Sequence, residues 1–281
     1  MDVNPELRNL DKAVVRGFGD EWSRFDQSTL SAADRDRIWQ DYFALFPWEA
    51  LPSDAVGMDV GCGSGRWAQL VAPRVRRLLC IDASTEALNV ARRNLAGHEN
   101  VEFREASVEA LPVADGSLDF IYSLGVLHHV PDTAEAVRSV AAKLKPGAPI
   151  LLYLYYDFEN RAGWFRALWR ASELVRRILS HSPHGLSYAM SNVLAAVVYW
   201  PLARLAQLAD RAGACVDSWP LAYYRDKGLY VMRTDARDRF GTQLEQRFSR
   251  ADITTMLVAA GCEAPVFSDQ PPYWVAVARK S

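Results

Sequence analysis

The sequence is short of cysteine, of net charge and of long apolar runs, and each shortage excludes a class of protein. Its four cysteines, Cys62, Cys80, Cys215 and Cys262, stand far apart, with no CxxC pair and no cluster with histidine. That spacing argues against a disulfide framework and against a zinc site, so no metal is expected, and it suits a reducing, cytoplasmic setting. A formal net charge of −2 offers no electrostatic footprint for nucleic acid. The opening residues MDVNPELRNLDKAVV carry acids and no apolar run, which is not the pattern of a secretory signal. The longest uncharged stretch, residues 185–203, includes Ser187, Ser191, Asn192 and Pro201. It falls short of the roughly 20 predominantly apolar residues of a spanning helix. What remains is an ordinary globular balance over 281 residues, half of them hydrophobic, with ample material for a core.

From about residue 55 the chain alternates short β-rich runs with helical patterns, the signature of a parallel sheet covered by helices. Strands are expected at 56–60, 77–82, 101–105, 118–123 and 150–156. Between them Ala87, Leu88, Ala91 and Leu95 give one apolar helix face, with Ser84 as its cap, and Ala136, Val137, Val140 and Leu144 give another. Alternation stops over residues 161–213, which are helical in pattern. There Trp164, Leu168, Val175 and Leu179 can share one face while Arg166, Arg170 and Arg177 mark a second, and seven arginines stand against Glu173 and Asp210. A final helix at 249–261 and strands at 263–267 and 273–278 close the chain.

The first strand runs into Asp59-Val60-Gly61-Cys62-Gly63-Ser64-Gly65. Glycines are wanted where a strand turns sharply into a helix and a ligand must approach the backbone without a Cβ in the way. Amides at the helix start then favour a negative group such as a carboxylate. Asp82 ends the next strand, 21 positions after Gly61, where nucleotide-binding α/β folds place an acid on the ribose hydroxyls. Its other reading is a strand-end residue capping the next helix, and the glycine loop favours the ribose role. A nicotinamide fold would want a third glycine at position 66, where Arg66 stands.

The segments VGMDVGCGSGRWA, LLCIDAS, EALPVADGSLDFIYSLGVLHHVPD and LKPGAPILL resemble the successive motifs of class I methyltransferases that use S-adenosylmethionine (SAM). The resemblance is to the branch that includes ubiquinone/menaquinone-type and many small-molecule enzymes. It covers residues 55–156 and returns at 249–279. It implies an α/β fold, a Rossmann-like seven-stranded sheet with helices on both faces and a helical insertion after the fifth strand. The domains would be an N-terminal helical cap (1–54), a SAM-binding core (55–156), an insertion serving as acceptor-site lid (157–248) and the core's C-terminal part (249–281). Asp59, Gly61, Cys62, Gly63 and Gly65 would border the methionine end of SAM, with Asp82 on the ribose, Ala83 against the adenine and Leu124 and Gly125 by the methyl-donor site. Ser107 falls where relatives usually carry an acid for the adenine amine, so its hydroxyl must substitute or Glu109 must reach in. FGxEW segments like the one at Phe18–Trp22 cap the cofactor in some relatives, which makes Trp22 and Phe18 candidates for the same pocket.

Methyl transfer is an in-line displacement in which the protein aligns the acceptor and excludes water. A base is needed only where the acceptor must lose a proton. His128 and His129, just after the fourth strand, are the candidates for that base, or a backbone-bonded structural pair. Tyr155, Tyr223, Tyr224, Arg225 and Arg247 are candidate acceptor contacts, and the arginine excess of the insertion would suit an acidic acceptor. The apolar stretch from Val193 to Trp200 reads either as the core of a lid or as a surface for a lipidic acceptor or a membrane interface, through residues 185–203. The expectation is a SAM-dependent O-methyltransferase of a sugar, lipid-linked or natural-product molecule. Its rivals are a SAM-binding regulatory partner without turnover and a membrane-surface enzyme for a quinone-like acceptor.

Overall fold

The computed structural model describes residues 9–26 and 31–281. In chain order the elements are α1 (Lys12–Arg24), α2 (Ala32–Phe43), β1 (Val56–Val60), α3 (Ala68–Val71), β2 (Arg77–Asp82), α4 (Thr85–Asn94), β3 (Val101–Glu105), β4 (Phe120–Leu124), α5 (Thr133–Ala142) and β5 (Pro149–Tyr153). Then come α6 (Gly163–Ser180), α7 (His184–Leu194), α8 (Trp200–Arg211), α9 (Leu229–Gly241), α10 (Arg250–Ala259), β6 (Val266–Phe267) and β7 (Val275–Arg279). They divide into two compact units. Unit 1 holds the described residues of Met1–Gln27 with Trp39–Asp157 and Leu244–Ser281; unit 2 holds those of Ser28–Ile38 with Phe158–Gln243.

Unit 1 is one seven-stranded sheet in the order β3-β2-β1-β4-β5-β7-β6. The first five strands are parallel, and β7 runs antiparallel to both β5 and β6. The central strands are apolar on both faces, with Met58, Phe120, Ile121, Ile150 and Leu151 fully buried, as a parallel sheet covered on both sides requires. Ala87, Leu88, Ala91 and Leu95 of α4 are buried, as are Ala136, Val137 and Val140 of α5. Ser84 caps α4 by accepting the Ala87 N–H, and Ser249 with Asp252 forms a capping box on α10.

Several strand limits differ from the sequence pattern, and β5, expected to reach residue 156, ends at Tyr153. β4 begins at Phe120 rather than Leu118, because Leu118 makes only an isolated bridge to Leu144 while the Asp119 carboxylate accepts the Val56 N–H. β7 begins at Val275 because Tyr273 and Trp274 both take left-handed φ values, 64° and 59°, which a strand cannot contain. β6 shrinks to two residues at the sheet edge.

Unit 2 is helical. Its small core gathers Leu179, Ala195, Tyr199, Ala203, Met232, Ala236 and Phe240. The shared face expected for Trp164, Leu168, Val175 and Leu179 does not hold: Leu179 points inward, whereas the other three are exposed. The apolar stretch also extends beyond its expected end. One continuous helical rod runs from Gly185 to Arg211, 27 residues, long and apolar enough by length and composition to cross a membrane.

Candidate active site

The sheet reverses its winding between β1 and β4, and the crevice outside the carboxyl ends of the strands at such a point is where open α/β sheets bind ligands. A cleft of ≈ 810 Å³, counting its open mouth, lies there. Its walls take one contribution from the end of each nearby strand: Gly61 after β1, Asp82 and Ala83 after β2, Ser107 after β3 and Leu124 with Gly125 after β4. Helix α1 supplies the facing wall through Val14, Phe18 and Trp22. Every lining residue belongs to unit 1.

The glycine loop is pinned by the Gly61 and Cys62 amides, which both donate to the Ile81 carbonyl at 2.7 and 2.9 Å. Gly63 sits at φ +52°, and a Cβ there would lie 2.8 Å from the Trp22 indole, so only glycine lets α1 close onto the loop. Asp82 stands at the strand end where the ribose role would need it, while Ser84 rather than Asp82 caps α4. The Asp82 Oδ2 accepts the Gly63 N–H and its Oδ1 the Ser84 N–H, each at 2.9 Å, while the residue also forms part of the cleft wall. Burial raises its pKa, against the bonds from the Ser84, Gly63 and Ala83 amides that lower it.

Of the loop only Gly61 lines the cleft; Asp59, Cys62, Gly63 and Gly65 do not. Asp59 is buried and accepts the Tyr122 hydroxyl at 2.9 Å. Burial, opposed by that bond and reinforced by the charge of Asp82, pushes its pKa up to about 8. Ser107 lines the cleft, and its buried hydroxyl has no protein partner. Glu109 instead accepts the Asn9 N–H at 2.5 Å and is absent from the wall. Of the two ways to replace the usual adenine acid, the placement therefore favours Ser107.

The two histidines separate. His129 lines the cleft 4.9 Å from the Phe18 ring. Its Nδ1 donates to the Leu244 carbonyl at 2.7 Å. His128 lies behind, fully buried, stacked 3.9 Å from Tyr155, with neither ring nitrogen hydrogen-bonded. Burial, then the charges of His129 and Arg247, holds it well below the usual histidine range, so it is neutral and does not face the acceptor.

The predicted acceptor contacts scatter. Tyr155 stacks on His128, and Arg247 lies over the Tyr155 ring while bonding Glu245 and the Tyr156 carbonyl; both brace the histidine turn from behind. Tyr223, Tyr224 and Arg225 are committed within unit 2. The Tyr224 hydroxyl donates to Asp235, Lys227 sits over the Tyr223 ring, and Arg225 pairs with Asp210 and Asp217. None of the five is in the cleft wall. Pattern reading missed Asn9, whose side chain exchanges two bonds with the Asp132 backbone, at 2.7 and 2.6 Å. It also missed Gln246, which donates to the His128 and Val130 carbonyls. Both are remote in sequence from what they hold, and no spacing rule links them to it.

A cleft with a glycine turn, a strand-end carboxylate and an unpartnered buried hydroxyl fits a nucleoside-linked amino acid with no pyrophosphate. Comparison with known proteins agrees. Residues 58–152 match the family model described as a methyltransferase domain. The ubiquinone biosynthesis O-methyltransferase of Xanthomonas campestris pv. campestris is 32% identical over 230 residues, covering 78% of this chain and 91% of that protein. The methyltransferase YcgJ of Bacillus subtilis is 37% identical over 105 residues, covering 37% of this chain and 42% of that one. A SAM-dependent methyltransferase structure from Aquifex aeolicus shares the fold over 92% of this chain and 98% of its own, at a TM-score of 0.52 and 14% identity. The chain belongs to the class I SAM-dependent methyltransferases. It is an enzyme of that class, with SAM as its cofactor and a seven-stranded Rossmann-like core.

Proposed function

We propose that this methyltransferase alkylates a hydroxyl oxygen of a small, largely apolar acceptor, of the phenolic quinone-precursor type. The observation that carries the reading is His129: a cleft-lining imidazole beside the Phe18 ring, oriented by the bond from its Nδ1 to the Leu244 carbonyl. A base so placed is useful when the nucleophile must shed a proton, as a hydroxyl must. The neighbouring walls are Val14, Phe18, Val126 and Val130, which offer a flat aromatic ring contact and offer a sugar no side-chain hydrogen bonds. The name of the Xanthomonas relative, a ubiquinone biosynthesis O-methyltransferase, points the same way.

In this reading Asp82 and Ser107 hold the nucleoside, and Trp22 closes over the Gly63 turn and keeps water out. Bound SAM supplies an electrophilic methyl group beside Leu124 and Gly125. His129 would orient the acceptor hydroxyl and take its proton as the oxygen–methyl bond forms, the sulfur–methyl bond breaks and S-adenosylhomocysteine leaves. His128, Tyr155 and Arg247 hold the His129 ring in place. The test is transfer of radiolabelled methyl from SAM to a catechol and to a hydroxylated quinol. Label in a methyl ether is expected, and His129→Ala should lower kcat by about 10²-fold with affinity for S-adenosylhomocysteine retained. Label appearing on nitrogen or carbon, or an unimpaired His129→Ala enzyme, would overturn the assignment.

A further inference from the structure

Unit 2 turns apolar stripes outward beside its small apolar core. On α6, Trp164, Leu168, Ala171, Val175 and Ile178 recur at intervals of three and four, which places them on one side, and every one is exposed. The opposite side carries the polar residues. Arg176 is buried, bonding Glu173 and the Thr242 carbonyl at 2.7 Å. An exposed apolar stripe also runs along the 185–211 rod, whose inner side carries buried Ala195, Tyr199 and Ala203 together with two serines. Leu186, Met190, Val193 and Val197 face out, while Ser187 and Ser191 face in, with Ser187 accepting from buried Arg237 at 2.7 Å.

The rod changes register to keep this arrangement. Residues 195–199 form a π-turn just before Pro201, whose ring denies the Val197 carbonyl its helical donor. The one extra residue rotates the remainder of the rod by about 100°. In an unbroken α-helix Arg204 would fall in line with Leu186, Val193 and Val197. After the turn Leu202, Leu205 and Leu208 continue that line, all exposed, and Arg204 turns inward to the Lys227 carbonyl at 2.8 Å.

Two stripes result, about 27 and 40 Å long. Arg166, Arg170 and Arg177 are exposed on one flank of the α6 stripe, and between residues 163 and 209 the only acid is Glu173, held by Arg176 and Arg239. The exposed rim is cationic. Trp164 and Trp200, about half exposed, are the side chains suited to a boundary between water and hydrocarbon. We propose that unit 2 docks on an anionic lipid bilayer, lying along its surface through the outward stripes of α6 and of the α7–α8 rod. The rod lies flat and does not cross, since its inner side, from Ser187 through Arg204, is bonded into unit 2. This inference stands independently of the acceptor.

The test is flotation of the full chain, free of cofactor, with vesicles of phosphatidylcholine alone or mixed with phosphatidylglycerol. Binding to the mixed vesicles should exceed binding to the neutral ones by about tenfold or more. Leu168→Glu with Val175→Glu, and separately Val197→Glu with Leu205→Glu, should each abolish flotation while leaving S-adenosylhomocysteine binding unchanged. The matching serine pairs serve if a glutamate pair lowers thermal stability. Replacing Arg166, Arg170 and Arg177 with glutamine should remove only the preference for phosphatidylglycerol. No flotation with either vesicle, or flotation that survives both glutamate pairs, would overturn the proposal. So would a wild-type dimer dissolved by those pairs, because the stripes would then belong to a second copy.

Discussion

The two units solve the burial problem in opposite ways. Unit 1 packs Met58, Ile121, Leu151 and their neighbours between covered faces of a sheet and brings buried Ser107 and His129, with half-buried Asp82, to one cleft. Unit 2 buries Arg176, Arg237, Ser187 and Ser191 and turns leucines and tryptophans outward. Apolar side chains leave water unless something else will cover them. The first arrangement covers its apolar strands, and the second leaves two apolar stripes exposed.

The largest expected effect separates these two kinds of leucine and isoleucine. Ile121→Ala, in the fully buried centre of unit 1, should cost about 4 kcal/mol in urea unfolding. Leu205→Ser, 55% exposed, should fall within about 0.5 kcal/mol of wild type without lipid. Equal costs would break the comparison, since Leu205 would then be covered in solution. Next comes His129→Ala, with its loss of about 10²-fold in kcat; His128→Asn should act only by loosening its neighbour and give a smaller fall.

Asp59 sharpens the contrast through pH. Its carboxyl binds a proton more tightly folded than unfolded, so the folded state is favoured at low pH. Its contribution to stability is lost as pH rises from the ordinary carboxyl range towards the folded value of about 8. Asp59→Asn should therefore flatten the pH dependence of stability, gaining on wild type on the order of 2 kcal/mol between about pH 6 and pH 8. Thermal melts across that range measure it. An unchanged slope would mean that Asp59 is ionised in the folded protein.

Much of unit 1 is legible in the sequence because its signals are local. A glycine turn after an apolar strand, an acid at the end of the next and a histidine pair after the fourth each lie within a few residues of the structure they make. The insertion is not legible to the same degree. Helical spacing gives two faces but does not say which one is buried. Spacing puts Trp164 and Leu179 on one side, yet one is exposed and the other is core. Nor does spacing reveal a π-turn, although Pro201 is its visible cause. Tyr223, Tyr224 and Arg225 look like ligand contacts by residue type, but their chemistry is used up within unit 2.

The smallest effect concerns a place where unit 1 closes its cleft with distant parts of the chain. Asn9 is buried just ahead of α1, its side chain matched to the Asp132 backbone and its N–H to Glu109. These bonds anchor the start of the helix that carries Val14, Phe18 and Trp22 into the cleft wall. Asn9→Ala removes two of them, but Asp132 is exposed and its backbone groups can turn to water. The loss should therefore stay near 1 kcal/mol, a roughly fivefold weaker affinity for S-adenosylhomocysteine. It should appear as faster release, because the anchored helix must lift for the ligand to leave. Stopped-flow displacement would show it, and unchanged release would mean that α1 is held by the Trp22–Gly63 contact alone.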